Sequence, residues 1–188
     1  MKTKPAKINH RDIRPHLTLS VNLLIIVLAC CFVIVGNLMA AELVLTGSQQ
    51  DGYTNDHQYN VTDPVLLCGQ QRFVAVMEFP LPSNIKVGIA RLYLHVLKVK
   101  KPGRVALYHL VSFNNGYAET QDFYATAQKL GEAQVEHSGE ISFDVTKAVK
   151  KDAQGPGGFT SYRLEGRGAE LVLSAYESGK DQARIKIE

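Results

Sequence analysis

Short segments in which apolar and polar residues alternate, separated by turn-forming clusters, recur along most of this chain. That period of two constrains the fold more than any other feature. In QRFVAVMEF (Gln71–Phe79), Phe73, Ala75, Met77 and Phe79 share one face before PLPSN ends the run. IARLYLHVLKV (Ile89–Val99) puts Leu92, Leu94 and Val96 on one side, with Arg91, Tyr93, His95 and Leu97 on the other. KKPGR forms a turn into VALYHLV (Val105–Val111). GEISFDV then directs Ile141, Phe143 and Val145 one way and Ser142 and Asp144 the other. FTSYRLEG, AELVLSAY and ARIKIE close the chain, split by glycine-containing turns. TKAVKKDA is the one stretch that reads as helix, with Thr146 placed to cap it and QGPGG to stop it. Eight or so short strands without alternating helices predict an all-β fold: a two-layer antiparallel β-sandwich, jelly-roll-like, with one short helix. Each strand then offers one face to the core and one to water or a partner.

The N-terminus follows a different rule. A basic stretch precedes LLIIVLACCFVIV (Leu23–Val35), after which Gly36 and Asn37 break the run and Ala40 and Ala41 offer small side chains. That order of basic, apolar and small-residue regions predicts a signal peptide over residues 1–41 and a folded domain over 42–188. Two other readings stay open. Leu19–Ala41 is long enough for an uncleaved membrane anchor, and Leu28-Ala29-Cys30 resembles a lipoprotein site. All three place the domain outside the cytoplasm, secreted or tethered.

Charge and cysteine usage narrow the partners. Five of the 21 basic residues and one of the 18 acidic ones precede residue 17, so the domain keeps 16 and 17 and is close to neutral. No basic stripe or phosphate-reading motif points to nucleic acid. Cys30 and Cys31 fall in the export segment, which leaves Cys68 alone. Stability therefore rests on packing, and Cys68 reads as a small buried apolar side chain.

Several pieces, in order, resemble the extracellular DNRLRE-type β-sandwich modules related to carbohydrate-binding module family 96. QDGYT (Gln50–Thr54) stands where such modules have an "aDayv"-like opening strand, and FVAVMEFPLP (Phe73–Pro82) is similar to their "yLrFdlp" segment. IKVGIARLYLHV (Ile85–Val96) matches "I.sAtLrLyv". GYAETQDFY (Gly116–Tyr124) keeps Glu119 and Thr120 of "W.Et.iTw", with Tyr117 in place of tryptophan. GEISFDVTKAVKKD (Gly139–Asp152) resembles "w..fDVT..V", and FTSYRLEG and LVLSAYES resemble the closing strands. The resemblance implies a secreted sandwich module that binds carbohydrate and performs no catalysis.

Site expectations follow from side-chain chemistry. Sugars present flat apolar faces ringed by hydroxyls, so tyrosine platforms and forked polar groups suffice to hold them. Arg91, Tyr93 and His95 share the polar face of one strand, and Arg104 and Tyr108 are expected to share that face on the next. Such a basic and aromatic patch suits an acidic polysaccharide such as a uronate polymer. The alternative is a structural or adhesion domain that contacts protein at the cell surface. No cofactor is required. QQDGYTNDHQYNVTD (Gln49–Asp63) lacks EF-hand spacing but offers Asp51, Asn55, Asp56 and Asp63 as calcium candidates in a loop that otherwise reads as Asx turns. Asn60-Val61-Thr62 is a glycosylation sequon. His95 and His109 fall on neighbouring strands without a third zinc ligand at recognisable spacing. Glu119, Asp122 and Asp144 are the carboxylates that an alternative, hydrolytic or lyase, reading would use.

Overall fold

The computed structural model describes residues 40–112 and 114–188; the export-segment reading lies, up to residue 39, outside them. In chain order the strands are β1 (Ala41–Val44), β2 (Asp51–Thr54), β3 (Tyr59–Asn60), β4 (Val65–Cys68), β5 (Val74–Pro80) and β6 (Ala90–Lys101). They continue with β7 (Gly103–Leu110), β8 (Ala127–Val135), β9 (Gly139–Asp144), β10 (Phe159–Arg167), β11 (Glu170–Ser174) and β12 (Arg184–Ile187). A four-residue helix α1 (Gln121–Tyr124) precedes β8, and α2 (Thr146–Asp152) follows β9.

The strands form two antiparallel sheets. In the first, β6 carries β9 along one edge. Its other edge takes β12 against Ala90–Tyr93 and then β11 against Val96–Lys101, and β1 and β4 add outside these. The second sheet runs β3-β2-β5-β10-β7-β8. Its rows β5-β10-β7-β8 lie opposite rows β4-β11-β6-β9. From β4 to β11 only the β7–β8 link stays within one sheet, which is the jelly-roll arrangement expected.

The alternating residues fill the space between the sheets as their period dictates. Ala75, Met77 and Phe79 from β5 meet Leu92, Leu94 and Val96 from β6, with Tyr162, Leu164, Leu171 and Ile185 completing the layer. Each fully buried large apolar side chain contributes roughly 1.5–3 kcal/mol. Cys68 belongs to this layer and its thiol donates to the Leu164 carbonyl at 3.4 Å. The Phe79 and Tyr162 rings meet edge to face, and the Thr160 hydroxyl donates to the Tyr162 hydroxyl at 2.9 Å, so the buried phenol keeps a partner.

α2 closes the edge where β8 and β9 diverge, setting Val145, Ala148 and Val149 into the core. Thr146 is not its cap: Val145 holds the N-cap position, and Asp144 Oδ1 accepts the Thr146 N–H at 2.9 Å. The Thr146 hydroxyl instead accepts the Ala90 N–H at 2.9 Å, which binds the helix start to β6.

A second apolar cluster, Val74, Val76, Leu110, Ala118 and Ala125, lies on the outer face of the second sheet. There the link between β7 and β8, including α1, folds back over β5 and β10. Both faces of β5 are therefore buried.

Candidate functional site

The five residues expected to share one face do not. β6 and β7 belong to different sheets, because Lys101-Pro102-Gly103 crosses the sandwich where a turn to an adjacent strand was expected. Arg91, Tyr93 and His95 stay on the outer face of the first sheet, whereas Arg104 and Tyr108 lie on the outer face of the second. His95 and His109 are separated by the same crossing, so they are not on paired strands.

On the second sheet, three adjacent strands set out a grid in register. β7 supplies Arg104, Ala106 and Tyr108. β10 places Arg167, Glu165 and Arg163 opposite them, and β8 places Gln134, Glu132 and Lys129 on the other side. Tyr108 is the centre of one end: the Arg163 and Arg167 guanidinium carbons lie 5.7 and 5.8 Å from its ring centroid. Arg167 also donates to the Tyr108 hydroxyl. Glu165 bridges the two arginines, at 3.0 Å to each, and Lys129 pairs with Glu132 at 2.6 Å. The Lys129 ammonium beside Glu132 holds that carboxyl below its ordinary range. The Tyr108 hydroxyl, followed by Glu165, raises Arg167 above its own. A shallow groove runs over this grid, lined by Arg104, Tyr108, Lys129, Glu132 and Arg167 and reaching Lys101.

Lys129 also lines a second, deeper groove of about 830 Å³ between β8, β9 and α2. A cleft of that size falls within the range of roughly 300–1,000 Å³ typical of ligand sites. Arg91 enters it from β6, and Lys147, Lys150 and Lys151 enter from α2; Asp144 is its carboxylate. His109 forms part of the floor. It is buried, and its Nε2 lies 2.7 Å from Asp152 Oδ2 at the end of α2, a contact that pins the helix.

Together the two grooves take eight of the 16 basic residues of the described chain and two of its 17 acidic ones, although the domain as a whole is near neutral. Three of the five expected residues, Arg91, Arg104 and Tyr108, line them.

Tyr93 and His95 sit elsewhere, in a patch whose charges are matched. Tyr93 lies between Arg184 and Lys186 of β12, at 5.4 and 5.2 Å from its ring centroid. Arg184 is already paired with Glu140 and, at 3.4 Å, with Glu42. His95 faces Glu140 across β9.

The four calcium candidates of the opening loop do not converge. Asn55 Oδ1 accepts the N–H groups of His57 and Gln58, at 2.9 and 3.0 Å, as an Asx turn does. Asp56 pairs with Arg72 at 3.1 Å, and Asp63 accepts the Tyr53 hydroxyl. Asp51 instead accepts the Tyr176 N–H at 2.9 Å.

Of the carboxylates considered for acid–base chemistry, Asp144 lies apart from the neighbouring pair Glu119 and Asp122. Asp144 accepts the Thr146 N–H at the groove edge, while Asp122 is buried under the β7–β8 link and accepts the Glu119 N–H at 2.7 Å. Asp122 belongs to a cluster that sequence reasoning missed. Glu78 of β5 is fully buried beside Ser161, and its Oε2 accepts the Gly116 N–H at 2.6 Å. Arg163 Nη1 donates to the carbonyls of Asp122 and Phe123, both at 2.8 Å. Burial, aided by the charge of Asp122, pushes the Glu78 carboxyl up to about 8. Burial and the charge of Glu119 push Asp122 up to about 7. The signal was available: in FVAVMEF the face opposite Phe73, Ala75 and Met77 carries Val74 and Val76, so it too had to be covered.

No protein-family model matches the chain, and a search of curated proteins finds no match.

Proposed function

We propose that the domain is a non-catalytic module that binds an acidic polysaccharide outside the cytoplasm, along the two adjoining grooves joined at Lys129. The observation that carries this reading is the segregation of charge: half of the domain's cations line the grooves against two carboxylates. A uronate polymer supplies what that surface lacks, a carboxylate on each sugar, and guanidinium groups take carboxylates in a two-pronged geometry. Arg104 is the forked donor, and Arg167, held by Glu165 and the Tyr108 hydroxyl, adds charge beside it. Tyr108, steadied by Arg163 and Arg167 from β10, offers a rigid ring toward a sugar, and Lys129, Lys147 and Lys150 act as point charges. The resemblance to DNRLRE-type modules supports the same substrate class.

The experiment is a binding isotherm with a polyuronate and with a neutral polysaccharide of similar length, each at low and high ionic strength. The proposal expects polyuronate binding that weakens with salt, because exposed charges are screened beyond about 8 Å at physiological ionic strength. Equal affinity for the neutral polymer, or no binding by folded protein, would overturn it. The second result would favour the adhesion reading.

A further inference from the structure

We infer that Asp51 and Glu177 hold a calcium ion that ties the two sheets together where the start of β2 meets the turn after β11. Asp51 opens β2 in one sheet, and Glu177 lies in the 3-10 turn Tyr176–Ser178, within the excursion that separates β11 from β12 in the other. No strand pairing joins β2 to either of those strands. Their link is the Asp51 carboxylate itself, through the Tyr176 N–H.

Three carboxylate oxygens on these two segments, which the Tyr176 N–H joins, lack protein partners. Asp51 is 1 % exposed, and its Oδ1 has no hydrogen-bond donor once Oδ2 has taken Tyr176. Both carboxylate oxygens of Glu177 are buried and equally without donors. Among the described residues, neither carboxylate forms an ion pair. A buried charge without a partner is costly, and two that repel are more so. Burial first, and then the negative charge of Glu177, push the Asp51 carboxyl up to about 7.

A single proton would serve one of the three oxygens and leave a net negative charge in place. A divalent cation serves all three and neutralises both groups. The donor set is oxygen alone, which selects a hard cation over zinc. No group of three or more His, Cys, Asp or Glu gathers among the described residues, so backbone carbonyls and water complete the six to eight oxygens calcium takes. Two carboxylates set the affinity near the weak end for protein calcium sites, a dissociation constant of about 10⁻⁴–10⁻³ M.

The test is thermal unfolding of the chelator-stripped protein at about pH 8, above the raised value of Asp51, with calcium or magnesium chloride titrated in. Calcium at a hundredfold excess over its dissociation constant is expected to raise Tm by about 5–10 °C. Asp51→Asn and Glu177→Gln each abolish the rise, whereas Glu78→Gln, on the other buried carboxylate cluster, keeps it. Calorimetric titration of the unaltered protein, expected to give one calcium site per chain, stands independently of whether the variants fold. Three results would each overturn the assignment: no calcium heat and no Tm response, an equal response to magnesium, or an undiminished rise in a folded Asp51→Asn protein. None of these readouts depends on carbohydrate, so failure of this site and failure of polysaccharide binding are distinguishable.

Discussion

The main-chain N–H of Gly116 donates to Glu78 Oε2 at 2.6 Å, and this one bond fastens the long β7–β8 link to the outer face of β5. It also puts a carboxyl where water cannot reach it. Glu78 is raised from 4.5 to about 8, and Asp122 and Asp51 from 3.8 to about 7, burial being the largest cause in each.

These shifts set the sign of the pH dependence. Between their ordinary and their raised values the folded protein holds protons that the unfolded chain releases, so stability falls as pH rises through that window. The reverse applies to Asp144 and Glu132, whose lowered carboxyls contribute stability that is lost as the solution becomes more acidic than their ordinary range. In chelator, Tm is expected to be highest near about pH 5 and to decline toward about pH 8, with a shallower decline in Glu78→Gln. A Tm that climbs steadily across that interval would contradict the assignment of these buried acids.

Gly69 tests the close approach of two turns. Its φ is +86°, and a Cβ there would lie 1.9 Å from the Ala169 carbonyl oxygen, so both the backbone and the neighbour oppose any side chain. Gly69→Ala is expected to cost at least about 2 kcal/mol in denaturant unfolding. Gly168 is also in the left-handed region, at φ +92°, but a Cβ there meets nothing within 4 Å. Gly168→Ala is therefore expected to cost roughly 1–2 kcal/mol, from strain alone. Equal costs would mean that the Gly69–Ala169 contact relaxes.

Cys68 is fully buried, and burial pushes its thiol up to about 12. Only the thiolate reacts with disulfide and alkylating reagents. Native protein is expected to show no modification of Cys68 by an aromatic disulfide at about pH 8, and stoichiometric modification once unfolded in guanidinium. Rapid labelling of the native state would place Cys68 outside the core.

Individual strands were legible in the sequence wherever one face is apolar and the other polar. Leu92, Leu94 and Val96 against Arg91, Tyr93 and His95 define β6 without help from tertiary structure. β8 was not legible. AQKLGEAQV has weak strand formers, and it bends at a register shift opposite Leu107 and Tyr108, so its apolar residues do not keep one period. β4 is too short for alternation to show.

The sheet to which each strand belongs was also hidden. A proline–glycine turn between two alternating segments reads as a hairpin, and nothing local to KKPGR says otherwise. The crossing depends on a distant approach: a Cβ on Gly103 would lie 2.7 Å from Ala169 N, so that glycine lets the chain pass against the β10–β11 turn. Hence the residue types of the candidate site were legible from the sequence while their grouping was not. Arg91, Arg104 and Tyr108 are joined by Lys129, Arg167 and the lysines of α2, and Tyr93 is left in a charge-matched patch on the far sheet.

That division makes the most direct test a comparison of two tyrosines and one lysine. Polyuronate affinity at low salt would be measured for Tyr108→Ala, Lys129→Ala and Tyr93→Ala, each first shown to be folded. Loss of one ring or one charge at the junction is expected to weaken binding about 3- to 10-fold, which is roughly 0.7–1.4 kcal/mol, and Tyr93→Ala is expected to leave it unchanged. Binding that survives Tyr108→Ala and Lys129→Ala but is lost in Tyr93→Ala would move the site to the first sheet and contradict the account.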